Sequence, residues 1–135
     1  FVPVSSYRNN GPDWNSSQNS STCLVLNIEG KQAINDIDKI CTLEHVDCIF
    51  VGLFDLSKSL GIPGQIHDPQ VTELLSKIVD IARSRGKSVG TIATDYDSIQ
   101  SYLDLGANYI VYMVDTYMLR NSYHSAVQTF LESIN

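Results

Sequence analysis

Residues 48–57 read CIFVGLFDLS, an apolar run that stops at Gly52 and is followed three positions later by Asp55. Such a run is typical of a buried strand, and a carboxylate just beyond a parallel strand lies at the rim of the sheet, where α/β proteins build their sites. Residues 23–28, CLVLNI, form a second apolar run that ends at Glu29 and Gly30. Because the two acids follow successive strands, we predict that Glu29 and Asp55 share one site.

The rest of the chain repeats this strand and helix pattern. Apolar runs at 88–93 and 109–114 predict a third and a fourth strand. Helical spacing predicts helices over 31–41, from Asp68-Pro69 to Gly86, and between 95 and 106, the last with Ile99, Tyr102 and Leu103 on its buried side. A final helix carries one apolar stripe, made of Leu119, Tyr123, Ala126, Val127, Phe130, Leu131 and Ile134.

Continuous apolar strands separated by helices predict the α/β class, with a parallel sheet covered by helices. Four such units form either a small doubly wound sheet or one half of an eight-stranded barrel, whose complete form has roughly 250 residues. Periodicity does not separate these two architectures. The longer loop at 56–68 is of the kind that often carries function in a compact domain.

The first 21 residues differ from the remainder. They contain Asn9-Asn10-Gly11-Pro12 and then a run of Ser, Asn and Gln, which offers little to bury. We predict that residues 1–21 form a loop or partly disordered lead-in and that residues 22–135 form the domain. Because the chain opens on Phe1 and an apolar segment, we expect the natural polypeptide to begin earlier.

Composition excludes several classes of partner. The 135 residues carry 15 acids and 9 bases, a net charge of −6, and no basic cluster, so neither nucleic acid nor an anionic membrane surface is expected as the main partner. No apolar run is long enough to span a bilayer. Cys23, Cys41 and Cys48 lack metal-ligand spacing and predict buried, reduced thiols, which favours a cytoplasmic setting.

Two motifs, Asn27-Ile28-Glu29 and Gly52-Leu53-Phe54-Asp55-Leu56-Ser57, resemble the HpcH/HpaI aldolase family, metal-dependent enzymes of the phosphoenolpyruvate/pyruvate barrel superfamily. That family has a strand ending in Gln-x-Glu and a later one ending in Gly-Pro-x-Asp-Leu-Ser. The resemblance continues through 59–64, the helix start at Asp68-Pro69 and the segments 93–95 and 105–115. It covers the chain from Cys23 to its end, and implies strands five to eight, the second half, of a TIM (β/α)8 barrel.

The resemblance also implies a divalent metal centre. Carried over by position, Glu29 and Asp55 hold Mg²⁺ or Mn²⁺, which chelates pyruvate or its enolate. Asn27 stands where the family usually has Gln and is expected to contact the 2-oxo acid substrate. Mg²⁺ is commonly held by one or two carboxylates, with water and substrate oxygens in the remaining positions, and this pair meets that need.

The family's carboxylate pocket is lined by the backbone of its Gly-Pro-x turn. Here that backbone belongs to Gly52, Leu53 and Phe54, and Leu53 in place of proline departs from the pattern. The implied activity is that of an aldolase, a carbon–carbon lyase that cleaves 4-hydroxy-2-oxo acids to pyruvate and an aldehyde.

The family's catalytic His and its substrate-binding Arg belong to earlier strands, and no segment of this chain matches them. His45 precedes its strand and is expected at the opposite, amino edge, whereas His124 is expected on the surface of the last helix. Only His67 lies in a loop on the correct side, where a solvated loop residue is the favoured interpretation. Arg8 receives no role, so the base and the Arg are not found in this chain.

Other interpretations of the acids remain open. Glu29 could cap the helix that follows it, and Asp55 could cap a helix beginning at Leu56. Asp95 and Asp115 also follow strands, and both are expected to be helix caps. A catalytically silent structural homologue, or a citrate lyase-like enzyme acting on thioesters, are the alternatives to the aldolase; Lys58 is the one base near the loop after Asp55.

Half a barrel would leave two strand edges and an apolar sheet face open, which is costly unless something covers them. We therefore expect a homo-oligomer or a missing N-terminal half-barrel as partner.

Overall fold

The computed structural model describes residues 11–134. Its centre is a four-stranded parallel sheet in the order β1-β2-β3-β4, with strands at Val25–Ile28, Cys48–Val51, Ser88–Ala93 and Tyr109–Tyr112. The register pairs Ile28 with Val51 and Ala93 with Tyr112, so all four strands end at one edge. We call this the carboxyl edge. The predicted α/β fold of four β/α units is confirmed.

Seven helices surround or flank the strands within the described range: α1 Trp14–Ser21, α2 Lys31–Asn35, α3 Ile37–Cys41, α4 Leu53–Ser59, α5 Pro69–Ser84, α6 Tyr96–Asp104 and α7 Asp115–Ser133. The start of α5 follows the prediction, because the Asp68 carboxylate accepts a hydrogen bond from the Gln70 N–H with Pro69 at the first helical position. Gly86 ends the same unit with φ of 73°, a left-handed conformation that glycine adopts without strain.

The hydrophobic core lies between the helices and one face of the sheet. Alternate strand residues point into it and are almost fully buried, among them Ile49, Val51, Val89 and Ala93. They pack against the apolar side of α5 and against residues of α3 and α4. This single core holds the four units together and fixes the position of the carboxyl edge.

The opposite face of the sheet lacks such cover within the described residues. Val25 and Tyr109 point to this side and are 40% and 45% exposed. Phe50 and Tyr109 meet edge to face, with ring centroids 5.9 Å apart, above Gly90. A Cβ on Gly90 would lie 2.6 Å from the Tyr109 ring, so only glycine fits there. The open apolar face agrees with the expectation from half a barrel.

The lead-in is more ordered than the sequence predicted. Residues 14–21 form helix α1, whereas the prediction for this segment was a loop. The hydroxyls of Ser20 and Ser21 donate back to the carbonyl of Ser17, as serine side chains within a helix commonly do. No residue of α1 is buried. Residues 1–10, including Arg8, lie outside the described residues, and the division at residues 21 and 22 stays a prediction.

Three local predictions were wrong in detail. The helix predicted over 31–41 is two short helices that meet at Asp36. The first strand starts at Val25, not Cys23, so Cys23 is exposed while Cys41 and Cys48 are buried; all three are free thiols. On α6, Ser98 and Tyr102 are buried, whereas Leu103, which was predicted to be buried, is exposed. The side of α6 that packs on the domain therefore does not include Leu103.

The last helix, α7, carries the predicted apolar stripe, but the stripe faces solvent. Every residue from Asp115 to Ser133 is exposed. The helix leaves the sheet after Met113, whose φ of 55° is unusual for a residue other than glycine. None of the helices described is long and apolar enough to cross a membrane.

Candidate metal and substrate site at the carboxyl edge

Glu29 and Gly52 are neighbours at the carboxyl edge. Ile28 and Val51 are partners in the ladder between β1 and β2, and the Gly52 N–H donates to the Ile28 carbonyl at 3.1 Å. The residue after each strand therefore lies beside the residue after the other. This register brings Glu29 to the point where the chain of β2 turns into α4.

The Glu29 side chain lies directly on the Gly52 backbone. A Cβ at position 52 would approach Glu29 Cγ to 2.9 Å and Glu29 Oε1 to 3.2 Å. Asn27, two residues earlier on the same side of β1, donates from Nδ2 to Glu29 Oε1 at 2.5 Å. The Glu29 carboxylate thus accepts a hydrogen bond from the Asn27 amide, and its side chain lies against the Gly52 backbone. The residue remains exposed to solvent.

The helix-capping interpretation of Glu29 does not hold. Helix α2 begins at Lys31 with Gly30 as its N-cap residue, and no side chain caps it. Glu29 lies outside the helix, and its recorded hydrogen bond goes to Asn27. The carboxylate is therefore directed to the edge of the sheet instead of to the start of a helix.

Asp55 lies in the first turn of α4, one strand–helix unit further along the chain. The helix begins at Leu53, with Gly52 as its N-cap residue, so the predicted start at Leu56 was wrong and Asp55 is not the cap. Within residues 11–134 no hydrogen bond engages its carboxylate, which is exposed. A carboxylate without a protein partner is available to a ligand or an ion.

Leu53 and Phe54 point in different directions. Leu53 is only 1% exposed and belongs to the core, so this turn can offer a ligand the backbone of Leu53 but not its side chain. Phe54, in contrast, is 46% exposed. The exchange of proline for leucine is compatible with the turn because the leucine side chain packs inside.

Ser57 is a residue whose contribution the sequence analysis missed. Its buried hydroxyl donates to the Phe54 carbonyl at 2.7 Å and accepts a hydrogen bond from the Gly64 N–H at 3.0 Å. It thereby ties the loop after α4 to the turn that carries Asp55. Ser57 belongs to the motif at 52–57, which was the sequence signal for it. Only the fold shows that its hydroxyl binds the loop at Gly64.

The other two acids that follow strands serve helices. Asp95 caps α6 by accepting hydrogen bonds at 2.7 Å from both the N–H and the hydroxyl of Ser98, and these bonds hold the pKa of the Asp95 carboxyl below its ordinary value. Asp115 is the first residue of α7, and its carboxylate accepts from the Thr116 N–H at 2.7 Å. Capping by Asp95 is confirmed, whereas Asp115 lies within the helix it was expected to cap.

His67 and His45 lie at opposite edges of the sheet and His124 lies on the last helix, as the sequence predicted. His67 is exposed in the loop before α5, on the side of Asp95, and its charge contributes slightly to the lowered pKa of that carboxyl. His45 precedes β2 and lines a cavity of about 370 Å³ at the amino edge with Asn19, Thr22 and Leu24. His124 is exposed on α7. The described residues thus bring no histidine against Glu29.

The donor set suits a hard cation held by few protein ligands. Among residues 11–134, no three His, Cys, Asp or Glu side chains come together as a metal cage. Mg²⁺ does not need such a cage, because it keeps several waters and commonly uses one or two carboxylates with substrate oxygens. Glu29 and Asp55 carry carboxylates of this kind. Their roles as ligands, and those of Asn27 and the turn at 52–54, stay predictions.

Comparison with known proteins gives the relatives of this chain. The family model for HpcH/HpaI aldolase/citrate lyase matches residues 4–122. A 2-keto-3-deoxy-L-rhamnonate aldolase of Escherichia coli K12 is 32% identical over 117 residues, which are 87% of this chain and 44% of that enzyme. The chain thus spans about half the length of the curated relatives it matches.

Solved structures agree with the sequence comparison. An HpcH/HpaI aldolase from Desulfitobacterium hafniense DCB-2 superposes with a TM-score of 0.85 at 27% identity, over 94% of this chain and 50% of that one. A family protein from Burkholderia cenocepacia J2315 gives a TM-score of 0.83 at 26% identity, over 88% and 46%. The four β/α units correspond to half of these TIM-barrel-like structures. This chain belongs to the HpcH/HpaI aldolase/citrate lyase family.

Proposed function

We propose that this chain supplies the metal-binding half of a divalent-metal-dependent aldolase that cleaves 4-hydroxy-2-oxo acids to pyruvate and an aldehyde. The observation that carries the proposal is the Glu29 carboxylate lying on the Gly52 backbone, beside the turn that bears the unpartnered Asp55. The similarity to a 2-keto-3-deoxy-L-rhamnonate aldolase supports the same reaction class.

Each residue of the site has a task in this proposal. Glu29 and Asp55 hold Mg²⁺ or Mn²⁺, and a cation of this kind stabilises the negative charge of an enolate oxygen as a Lewis acid. Asn27 orients the Glu29 carboxylate through its amide N–H. The backbone of Gly52, Leu53 and Phe54 lines the pocket for the substrate carboxylate.

Proton transfer needs a base, and in this proposal the base does not belong to the described residues. Cleavage requires removal of the proton from the 4-hydroxyl group, and no histidine described here adjoins Glu29. The curated relatives that match are about twice as long as this chain. We propose that a preceding half-barrel, or a neighbouring subunit, brings the base and the substrate-binding Arg to the carboxyl edge.

Metal binding is tested first, because it needs no base. Isothermal titration of the protein with Mn²⁺ and oxalate, a mimic of the pyruvate enolate, is expected to show binding that Asp55→Ala abolishes. The matched control is Asp80→Ala, which removes an exposed acid near the C-terminal end of α5, where the helix has run back towards the amino edge, and should bind like the wild type. Equal binding by wild type and Asp55→Ala would show that the ligands are wrongly assigned.

Two alternatives make different predictions for turnover. A catalytically silent structural homologue releases no pyruvate from any 4-hydroxy-2-oxo acid, even with Mn²⁺ present and the preceding half-barrel supplied. A citrate lyase-like enzyme would act on a thioester, and the family model that matches this chain is described as covering citrate lyases as well as aldolases. A coupled assay for pyruvate, run beside an assay for free thiol released from a thioester, separates the three.

A further inference from the structure

Two of the three cysteines line one cavity on the open face of the sheet. The cavity has a volume of about 360 Å³, and its walls are formed by Cys23, Val25, Asp47, Cys48, Ser88 and Tyr109. Each of these residues begins one of the four strands or lies just before it, so the cavity is at the amino edge of the sheet. It is therefore separate from the candidate site at the carboxyl edge.

Cys48 is buried without belonging to the hydrophobic core. It is 3% exposed and begins β2 on the face opposite to that of Ile49, which lies in the core. Cys41, in contrast, is 1% exposed and packs among the core residues. Cys41 thus behaves as a small apolar side chain, the usual role of a buried cysteine, whereas the Cys48 thiol lines a cavity.

The strand register brings Cys23 beside Cys48. Cys48 pairs with Val25 in the ladder, and the Leu24 carbonyl accepts hydrogen bonds from the N–H groups of Asp47 and Cys48. Cys23, two residues before Val25, therefore lies diagonally across from Cys48. The two thiols are close enough to affect each other, because burial first, and then the charge of Cys23, raise the pKa of the Cys48 thiol.

The separation of the two positions suits a bridging ion better than a disulfide bond. Neighbouring strands lie ~4.8 Å apart and rise ~3.3 Å per residue, so diagonal positions two residues apart have Cα atoms about 8 Å from each other. Disulfide bonds usually need Cα atoms within about 7 Å. An ion bound between the two sulfur atoms spans the additional distance.

We propose that Cys23 and Cys48 form a two-coordinate thiolate site for a soft monovalent metal ion, of which Cu⁺ is the test case. On binding, each thiol loses its proton to solvent and each sulfur forms one bond to the ion, with no change of oxidation state. Thiolates favour soft ions such as Cu⁺, which accepts two ligands in a line. The inference does not depend on the proposed aldolase function.

The surroundings argue against a zinc site at the same place. Structural Zn²⁺ is almost always held by four ligands. Asp47 is the one other acid or thiol that lines the cavity, and its carboxylate accepts a hydrogen bond from the Leu24 N–H at 2.7 Å. Among residues 11–134, no three His, Cys, Asp or Glu side chains come together as a metal cage. Two thiolates without a third ligand fit a linear ion.

The two thiols differ in exposure, and this gives each a task. Cys23 is exposed and can take up the ion from solvent, whereas Cys48 is buried and completes the site from inside. Within residues 11–134, the Cys48 Sγ makes one hydrogen bond, a donation to the Ile49 carbonyl at 3.7 Å. A thiol is a weak donor, so its deprotonation by the ion gives up little.

Competition with a colorimetric Cu⁺ chelator under anaerobic, reducing conditions tests the site in the full chain. We expect one Cu⁺ per chain, and an affinity that falls more than about 100-fold in Cys23→Ser and in Cys48→Ala, beyond the usual cost of losing a group that only supports a ligand. Cys41→Ala is the matched control and should bind Cu⁺ like the wild type. Circular dichroism checks that every variant is folded.

Several results would overturn the proposal: no Cu⁺ retained by the wild type, one ion shared by two chains, or equal losses in Cys41→Ala and Cys23→Ser. X-ray absorption of the copper-loaded chain should show two sulfur neighbours, and three or more would also contradict it. Cys23→Ser should still bind Mn²⁺ and oxalate like the wild type, because Cys23 lies at the other edge of the sheet. A failure of the thiolate site is thus distinguishable from a failure of the proposed function.

Discussion

Glu29 lies against the backbone of Gly52 so closely that a methyl group at position 52 would come within 2.9 Å of Glu29 Cγ. The two residues belong to different β/α units and are brought together only by the register of β1 and β2. Glycine at this position is therefore a condition for the orientation of the carboxylate, independent of any requirement for backbone freedom in the turn.

This relationship predicts the effect of Gly52→Ala. The new methyl group should displace Glu29 and weaken binding of Mn²⁺ and oxalate about tenfold, the lower end of what changes to groups that support metal ligands usually cost. Titration calorimetry measures the affinity. Gly30→Ala is the matched control, because nothing lies within 4 Å of a Cβ there, and it should bind like the wild type. Equal affinity for Gly52→Ala would mean that the position of Glu29 does not matter.

We expect the two hydrogen bonds of the Ser57 hydroxyl to stabilise the folded state by joining the loop at Gly64 to α4. Ser57→Ala removes the hydroxyl that joins the Phe54 carbonyl to the Gly64 N–H, and should lower the free energy of unfolding by about 1–2 kcal/mol. Urea denaturation gives the value, and hydrogen exchange should rise at Gly64. Ser84→Ala, which removes an exposed hydroxyl bonded to the Ile81 carbonyl, should change stability far less. Matching losses in both variants would contradict the role of Ser57.

We expect the stability of the fold to depend on pH through the Asp95 carboxyl group. The hydrogen bonds from Ser98 lower the pKa of the Asp95 carboxyl below its ordinary value of 3.8. Its charge therefore stabilises the fold above that pH, and this contribution disappears as the pH falls through the lowered pKa of the folded state. Asp95→Asn should thus be less stable than the wild type at pH 7, with a difference that shrinks on acidification.

Thermal melts of both proteins between pH 7 and pH 2 measure that trend. In a Ser98→Ala background the same Asp95→Asn exchange should have a smaller effect at pH 7, because the donors that favour the charged carboxylate are reduced. A difference in stability between the wild type and the Asp95→Asn variant that is constant with pH would exclude the charge as its cause.

Much of the fold was predictable from local chemistry. The bounds of β2 and β3 follow the apolar runs, Asp68-Pro69 starts α5, and Gly86 ends its unit in the left-handed conformation. These features depend on neighbours in the chain: a carboxylate two residues from the N–H it caps, or a glycine where the backbone takes a left-handed conformation that strains other residues. The four parallel units follow from them.

Other features depend on residues far apart in the chain and were missed. Cys23 is exposed because the ladder with β2 begins only at Val25, and Leu53 is buried because α4 starts earlier than its acid suggested. The seven-residue link from Ser57 to Gly64 needed the loop to fold back on the helix. None of these positions has a local pattern that specifies its surroundings.

The sequence by itself determined the α/β class, the alternation of four strands with helices and the two acids that follow the first two strands, because apolar periodicity and capping residues act locally. The tertiary structure decided that Glu29 lies on Gly52 and that α7 stands away from the sheet. The first depends on strand register and the second on the backbone at Met113, and both are set by contacts between segments that periodicity cannot specify.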